Sequence, residues 1–162
     1  MAFSSLRALI GGGGGGGDRG VFGGGTTGSS SNVIDYITIS STGDATDFGD
    51  LTVARYYLAA TSNGTTDRGV FGGGTTGSDS NVIDYITISS TGDATDFGDL
   101  TVARSNLSAT SNGTTDRGVF GGGNAGSVSD VIDYITISST GDATDFGDLT
   151  VARHGLAATS KA

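Results

Sequence analysis

The chain has 162 residues, 31 of them glycine, with no proline, cysteine or tryptophan, and a formal charge of −9 in which all 17 acidic residues are aspartate. The basic residues are seven arginines and Lys161, without the clustered positive patch that phosphate neutralisation requires, so nucleic acid is not an expected partner. The absence of cysteine excludes a disulfide framework and a thiolate metal site. With no Glu, no Gln and one Lys, intrinsic propensity gives helix almost no support. Short runs of Val, Ile, Thr, Tyr and Phe between Gly/Ser/Asn/Asp clusters predict an all-β chain.

Residues 1–17 form a separate glycine-rich segment. Met1 to Ile10 carries one arginine and a few apolar residues, too short for a signal-peptide apolar core and for a bilayer span, so neither secretion by the usual route nor membrane insertion is expected. Seven consecutive glycines, Gly11 to Gly17, follow. The string DRGVFGGG then begins at Asp18, Asp67 and Asp116, a period of 49 residues. Internal repetition of this kind sets the architecture, and it divides the chain into repeats at 18–66, 67–115 and 116–162.

Four short strands are expected in each unit, in the second at Leu58 to Ser62, Gly69 to Gly72, Val82 to Ser89 and Phe97 to Val102. The separators SNGTT, GGGTTGSDSN and STGDAT are rich in residues that accept turn geometry, which predicts an antiparallel meander. In VIDYITI, apolar side chains fall on both faces, Val82, Ile86 and Ile88 on one and Ile83 and Tyr85 on the other. That pattern suits a sheet covered on both sides by neighbours.

The order of these features carries a family resemblance. Gly72-Gly73 at the end of the second strand, Tyr85, the later aromatic Phe97 and the closing Arg104 stand in the order of the kelch repeat, whose length of about 50 residues also agrees. Phe stands where kelch blades usually carry Trp, and the interval from Tyr to the later aromatic is longer than usual. The resemblance spans residues 18 to 160. It implies all-β architecture of three four-stranded kelch-like propeller blades. The phrases RGVFGGG, NVIDYITIS and GDATDFGDLT also resemble glycine-rich kelch-like repeat proteins of tailed phages of marine bacteria.

Several patterns suggest chemistry and are better explained otherwise. Gly23-Gly24-Gly25-Thr26-Thr27-Gly28 fits G-x-G-x-x-G, but a dinucleotide fingerprint must open a helix and this one opens a strand. Asp44, Asp47 and Asp50 place three carboxylates within seven residues and are weak candidates for calcium, a cation that takes six to eight oxygens. Their spacing matches no calcium loop, and aspartate is a usual turn residue, so no metal or other cofactor is expected. Asp18-Arg19 and its copies point to opposite faces. Arg55, Arg104 and Arg153 are expected to bind backbone carbonyls or aspartates between blades. His154 is the only histidine and stands beside no nucleophile placed by motif, so no catalytic residue is assigned.

Differences between the copies fall in two loops of each unit. Ser30 becomes Asp79 in the second copy, and Thr26, Thr27, Ser30 and Asn32 become Asn124, Ala125, Val128 and Asp130 in the third. Tyr56-Tyr57 becomes Ser105-Asn106 and then His154-Gly155. In a meander both loops emerge on one side, and varied loops on a fixed scaffold are where ligands are met. Tyr56, Tyr57, Asp79, Ser105, Asn106, Asn124, Val128 and His154 are therefore the candidate ligand-binding residues, with a cell-surface glycan as the candidate ligand.

Three blades are too few to close a propeller, so completion by oligomerisation is expected, as a ring or a filament of the chain with itself. The segment Arg153, Leu156, Ala157, Ala158, Thr159 and Ser160 repeats the first strand of a unit without its partners and is expected to be donated in assembly. The functional expectation is a non-enzymatic structural or interaction protein, a phage virion appendage or surface adhesin, located on a virion or outside the cell. The alternative is a soluble carbohydrate-binding propeller.

Overall fold

The computed structural model describes residues 18–63 and 65–161. Eleven strands and no α-helix occur among them. The first repeat gives β1 (Arg19–Gly23), β2 (Val33–Thr38) and β3 (Thr46–Asp50). The second sheet is β4 (Ala59–Ser62), β5 (Arg68–Gly72), β6 (Val82–Thr87) and β7 (Thr95–Asp99), and the third is β8 (Ser108–Ser111), β9 (Arg117–Gly121), β10 (Val131–Thr136) and β11 (Thr144–Asp148). Each sheet is an antiparallel meander in sequence order. The fourth-strand position of the first sheet falls on residues 1–17, outside the described residues.

The expected strands are present, with two corrections. The third strand of the second unit ends at Thr87, because Ile88 leaves the ladder and its N–H is donated to the Asp67 carbonyl at 3.0 Å. The fourth is Thr95–Asp99, not Phe97 to Val102. A register shift between Ile83 and Asp84 sets Gly98 opposite Ile83, and Leu100 then turns in to donate to the Asn81 carbonyl at 2.7 Å. Such a bulge bends the strand and re-aims a side chain. Here it accompanies full burial of Asp84 within an apolar strand.

The sheets stack face to face, with one core between each neighbouring pair. Ile34, Phe48 and Leu51 of the first repeat meet Phe71 and Ile86 of the second. Ile83, Phe97 and Leu100 of the second meet Phe120 and Ile135 of the third. The second sheet is thus buried on both faces, as its two-sided apolar pattern predicts. Glycines permit the close approach. A Cβ on Gly23 would lie 2.8 Å from the Phe71 ring, and one on Gly72 would lie 2.7 Å from the Phe120 ring. The Gly-Gly pair ends its strand because a side chain there would strike the neighbouring repeat.

Backbone bonds join the repeats as well. Gly92 and Ala94 donate to the carbonyls of Phe48 and Asp50, and Gly141 and Ala143 repeat this with Phe97 and Asp99, at 2.7 to 2.8 Å. Asn106 donates to Tyr57 and Gly155 to Asn106, a ladder running along the stack with Tyr57, Asn106 and Gly155 all at positive φ. The stack is open: among the described residues, nothing covers Phe22 on its first face or Phe146 on its last.

Candidate functional site

The residues that differ between copies are brought together in pairs of loops. In the second sheet Tyr56 and Thr75 exchange backbone hydrogen bonds of 3.1 and 2.8 Å, and Thr75 bridges to Asp79 across the tight turn that follows. In the third, Ser105 and Asn124 exchange bonds of 2.9 and 2.7 Å, and Asn124 bridges to Val128. The Tyr57–Asn106–Gly155 ladder aligns these loops in a row along one side of the stack. Tyr56 and Tyr57 meet edge to face at 4.8 Å between ring centroids. Tyr57, Val128 and His154 are exposed, Asp79 and Asn106 half-buried, and Ser105 buried. The Asn124 Oδ1 atom is buried without a hydrogen-bond partner among the described residues. His154 precedes Gly155 at the end of that row and makes no side-chain hydrogen bond or ion pair among the described residues.

The arginines make the contacts between repeats. Arg55 is fully buried and donates to Asp84 of the following repeat at 2.7 Å and to the Phe71 carbonyl at 3.3 Å. Thr52 donates to the same carboxylate at 2.5 Å. The set recurs one repeat on, where Arg104 meets Asp133 at 2.9 Å and the Phe120 carbonyl at 3.2 Å, with Thr101 on the same carboxylate. Burial pushes the Arg104 guanidinium below the usual arginine range, and the Asp133 carboxylate opposes that shift by its charge and its hydrogen bond. Arg153, the third copy, is exposed and donates to Val151 of its own loop.

Asp44, Asp47 and Asp50 are exposed. Asp93 and Asp142, the counterparts of Asp44, accept the backbone N–H of Asp50 and Asp99 from the preceding repeat at 3.1 Å. Their carboxylates hold neighbouring sheets together at the turn. No group of three or more metal-ligating side chains occurs among the described residues. Asp18, Asp67 and Asp116 accept from Ser40, Ser89 and Ser138. Their neighbours Arg19, Arg68 and Arg117 lie over Tyr36, Tyr85 and Tyr134, so each Asp-Arg pair diverges as the strand geometry requires.

The C-terminal segment forms no strand. It lies along β8 of its own chain, with the Ser160 hydroxyl donating to the Ser111 carbonyl. Ala157 and Ala158, with Gly121 and Ile132, line an open hollow of about 200 Å³. Leu156 is half-buried and Thr159 exposed.

The sequence reading expected the outer faces of the first and third repeats to need covering but named no residue on the sheet faces themselves. Phe48 and Phe97 are each 2% exposed and their third copy Phe146 is 53% exposed; Phe71 and Phe120 are 3% and 0% exposed and their first copy Phe22 is 61% exposed. The signal available in the sequence was the aspartate at the centre of each VIDYIT strand, a charge that must find a cation if buried. No known family model matches the chain, and no curated protein matches it in sequence.

Proposed function

We propose that the chain is a non-enzymatic structural and interaction protein, a self-assembling repeat module of propeller type that serves as a virion appendage or a surface adhesin outside the cell. The kelch-like order of Gly-Gly, Tyr, aromatic and Arg supports the propeller reading. One observation carries the assembly reading: among the described residues, nothing covers, on each outer face of the stack, the groups that one repeat further in are buried against a neighbour. A repeat that cannot bury its apolar face alone requires a neighbour, and exposed apolar faces of this kind mark interaction sites.

A second reading has its own observation. The loops that differ between repeats lie in one row, with an exposed tyrosine at its start, and an aromatic ring offers an apolar face together with a hydroxyl. This favours a soluble module that binds a glycan through that row. Native mass measurement separates the two. The assembly reading expects particles of several chains without any ligand; a single-chain particle at all concentrations that is retained on immobilised glycan overturns it in favour of the second.

A further inference from the structure

We infer that the outer face of the third repeat is a docking surface for the first repeat of a second copy of this chain, joined head to tail in the register that the chain uses twice within itself. The inference rests on the self-assembly reading and specifies its interface.

Charge complementarity comes first. Within the chain, Thr52 and Arg55 clasp Asp84, and Thr101 and Arg104 clasp Asp133. One set is left over at each end: Thr150 and Arg153 on the last repeat, and Asp35 on the first. Asp35 has no ion-pair or side-chain hydrogen-bond partner among the described residues. Forty-nine residues before Thr52 and Arg55, the sequence has Phe3 and Leu6, so the chain's own N-terminal segment carries neither clasping residue in register.

Shape gives an independent match. A Cβ on Gly23 or Gly72 would strike the phenylalanine of the following repeat, whereas one on Gly121 would meet only Ile132, at 3.8 Å. Likewise a Cβ on Gly49 or Gly98 would lie 2.5 Å from the backbone of the next repeat's turn, and one on Gly147 would meet nothing within 4 Å. The last face thus has two glycine cradles unfilled by any described residue, at the positions where Phe22 and Gly43 of a second copy would sit.

Backbone groups continue the pattern. β4 pairs with β5 from Ala59 opposite Gly72 to Ser62 opposite Gly69, and β8 pairs with β9 from Ser108 opposite Gly121 to Ser111 opposite Gly118. One repeat on, Ala157 to Ser160 would stand opposite Gly23 to Gly20 of the second copy. The C-terminal segment then takes the outer position beside β1 of the incoming first sheet, an edge that has no strand partner among the described residues. A contact of this kind is heterologous, so it closes into a ring where the rotation per copy allows and otherwise extends as a filament.

Two substitutions block one face each. Gly121→Val fills the Phe22 cradle and leaves the inside of the chain undisturbed, since a valine suits a strand position. Asp35→Arg sets like charges against Arg153. Each variant alone is expected to keep its strand signal in circular dichroism and its monomer stability, and to lose assembly, with the apparent dissociation constant rising by at least about thirtyfold. Mixed in equal amounts, the two retain one good face each and are expected to form two-chain particles and nothing larger. If wild-type protein assembles and both variants assemble as well as it does, or if the mixture stays monomeric, the interface is wrong while self-assembly stands. If wild-type protein is monomeric throughout, the assembly reading itself falls.

Discussion

Asp84 sits at the centre of an apolar strand with its carboxylate fully buried, clasped by Thr52 and Arg55 of the repeat before it. The clasp is incomplete. Arg55 Nε, Arg104 Nε and Arg104 Nη1 are buried without a hydrogen-bond partner among the described residues. A buried ion pair with unsatisfied donors contributes little net stability over an apolar pair of the same volume, yet breaking it leaves a buried charge uncompensated. Its value here lies in specifying which faces meet, and in what register. Asp84→Ala is therefore expected to lower unfolding stability by about 3–5 kcal/mol, whereas Asp35→Ala, which removes a carboxylate without a described partner, costs under about 1 kcal/mol in the monomeric chain. Urea titrations at a concentration where the protein is monomeric check this, and equal losses would contradict the pairing. The arginine-to-aspartate contact between repeats was legible from the sequence. That the aspartate is the one inside VIDYIT was not, because the bulge between Ile83 and Asp84 breaks the simple alternation of faces.

At the scale of elements, the turn between the third and fourth strands connects more than its own hairpin. Asp93 accepts from Asp50, and Gly92 and Ala94 donate to the edge strand β3 of the preceding repeat. The repeated GDATDFGD string suggests a calcium loop because its carboxylates are close in sequence. The structure commits one of the three to a backbone N–H, and the other two are exposed. Asp93→Ala is expected to cost about 1 kcal/mol, the ordinary worth of one such bond, and by the same amount with and without calcium. A ligand that binds only the native state must raise its stability, so a melting temperature that rises by many degrees in millimolar calcium and falls on chelation would restore the metal reading. Strand order and turn positions were legible from the period and the Gly/Asp clusters. The bounds of the fourth strand were not, since they depend on the register shift in its partner. The tail's likeness to a first strand led to the expectation of a strand donated to another chain; within one chain Leu156 to Ser160 lies beside β8 and forms no ladder.

For the whole molecule, identical units mean that each interface is a copy of the last. A chain of this kind is held by nearest-neighbour contacts, approximately additive from one repeat to the next. The number of sheets was legible from the 49-residue period, and the two-sided burial of the second sheet from the apolar residues on both faces of VIDYITI. The direction in which the stack presents its carboxylates and its arginines was not, because sequence gives the alternation of a strand's faces but not which neighbour each one meets. The bonds between repeats also have a direction. Asn106 to Tyr57, Gly155 to Asn106 and the turn-to-edge pairs all run along the stack, so tension between its ends falls on them in series and not on the ladders within a sheet. Under a steady pull the molecule should lengthen in steps. Each repeat of 49 residues that peels from the end releases roughly 160–180 Å of chain, and single-molecule stretching should record increments of that size; one rupture of the full length would mean that the repeats yield together.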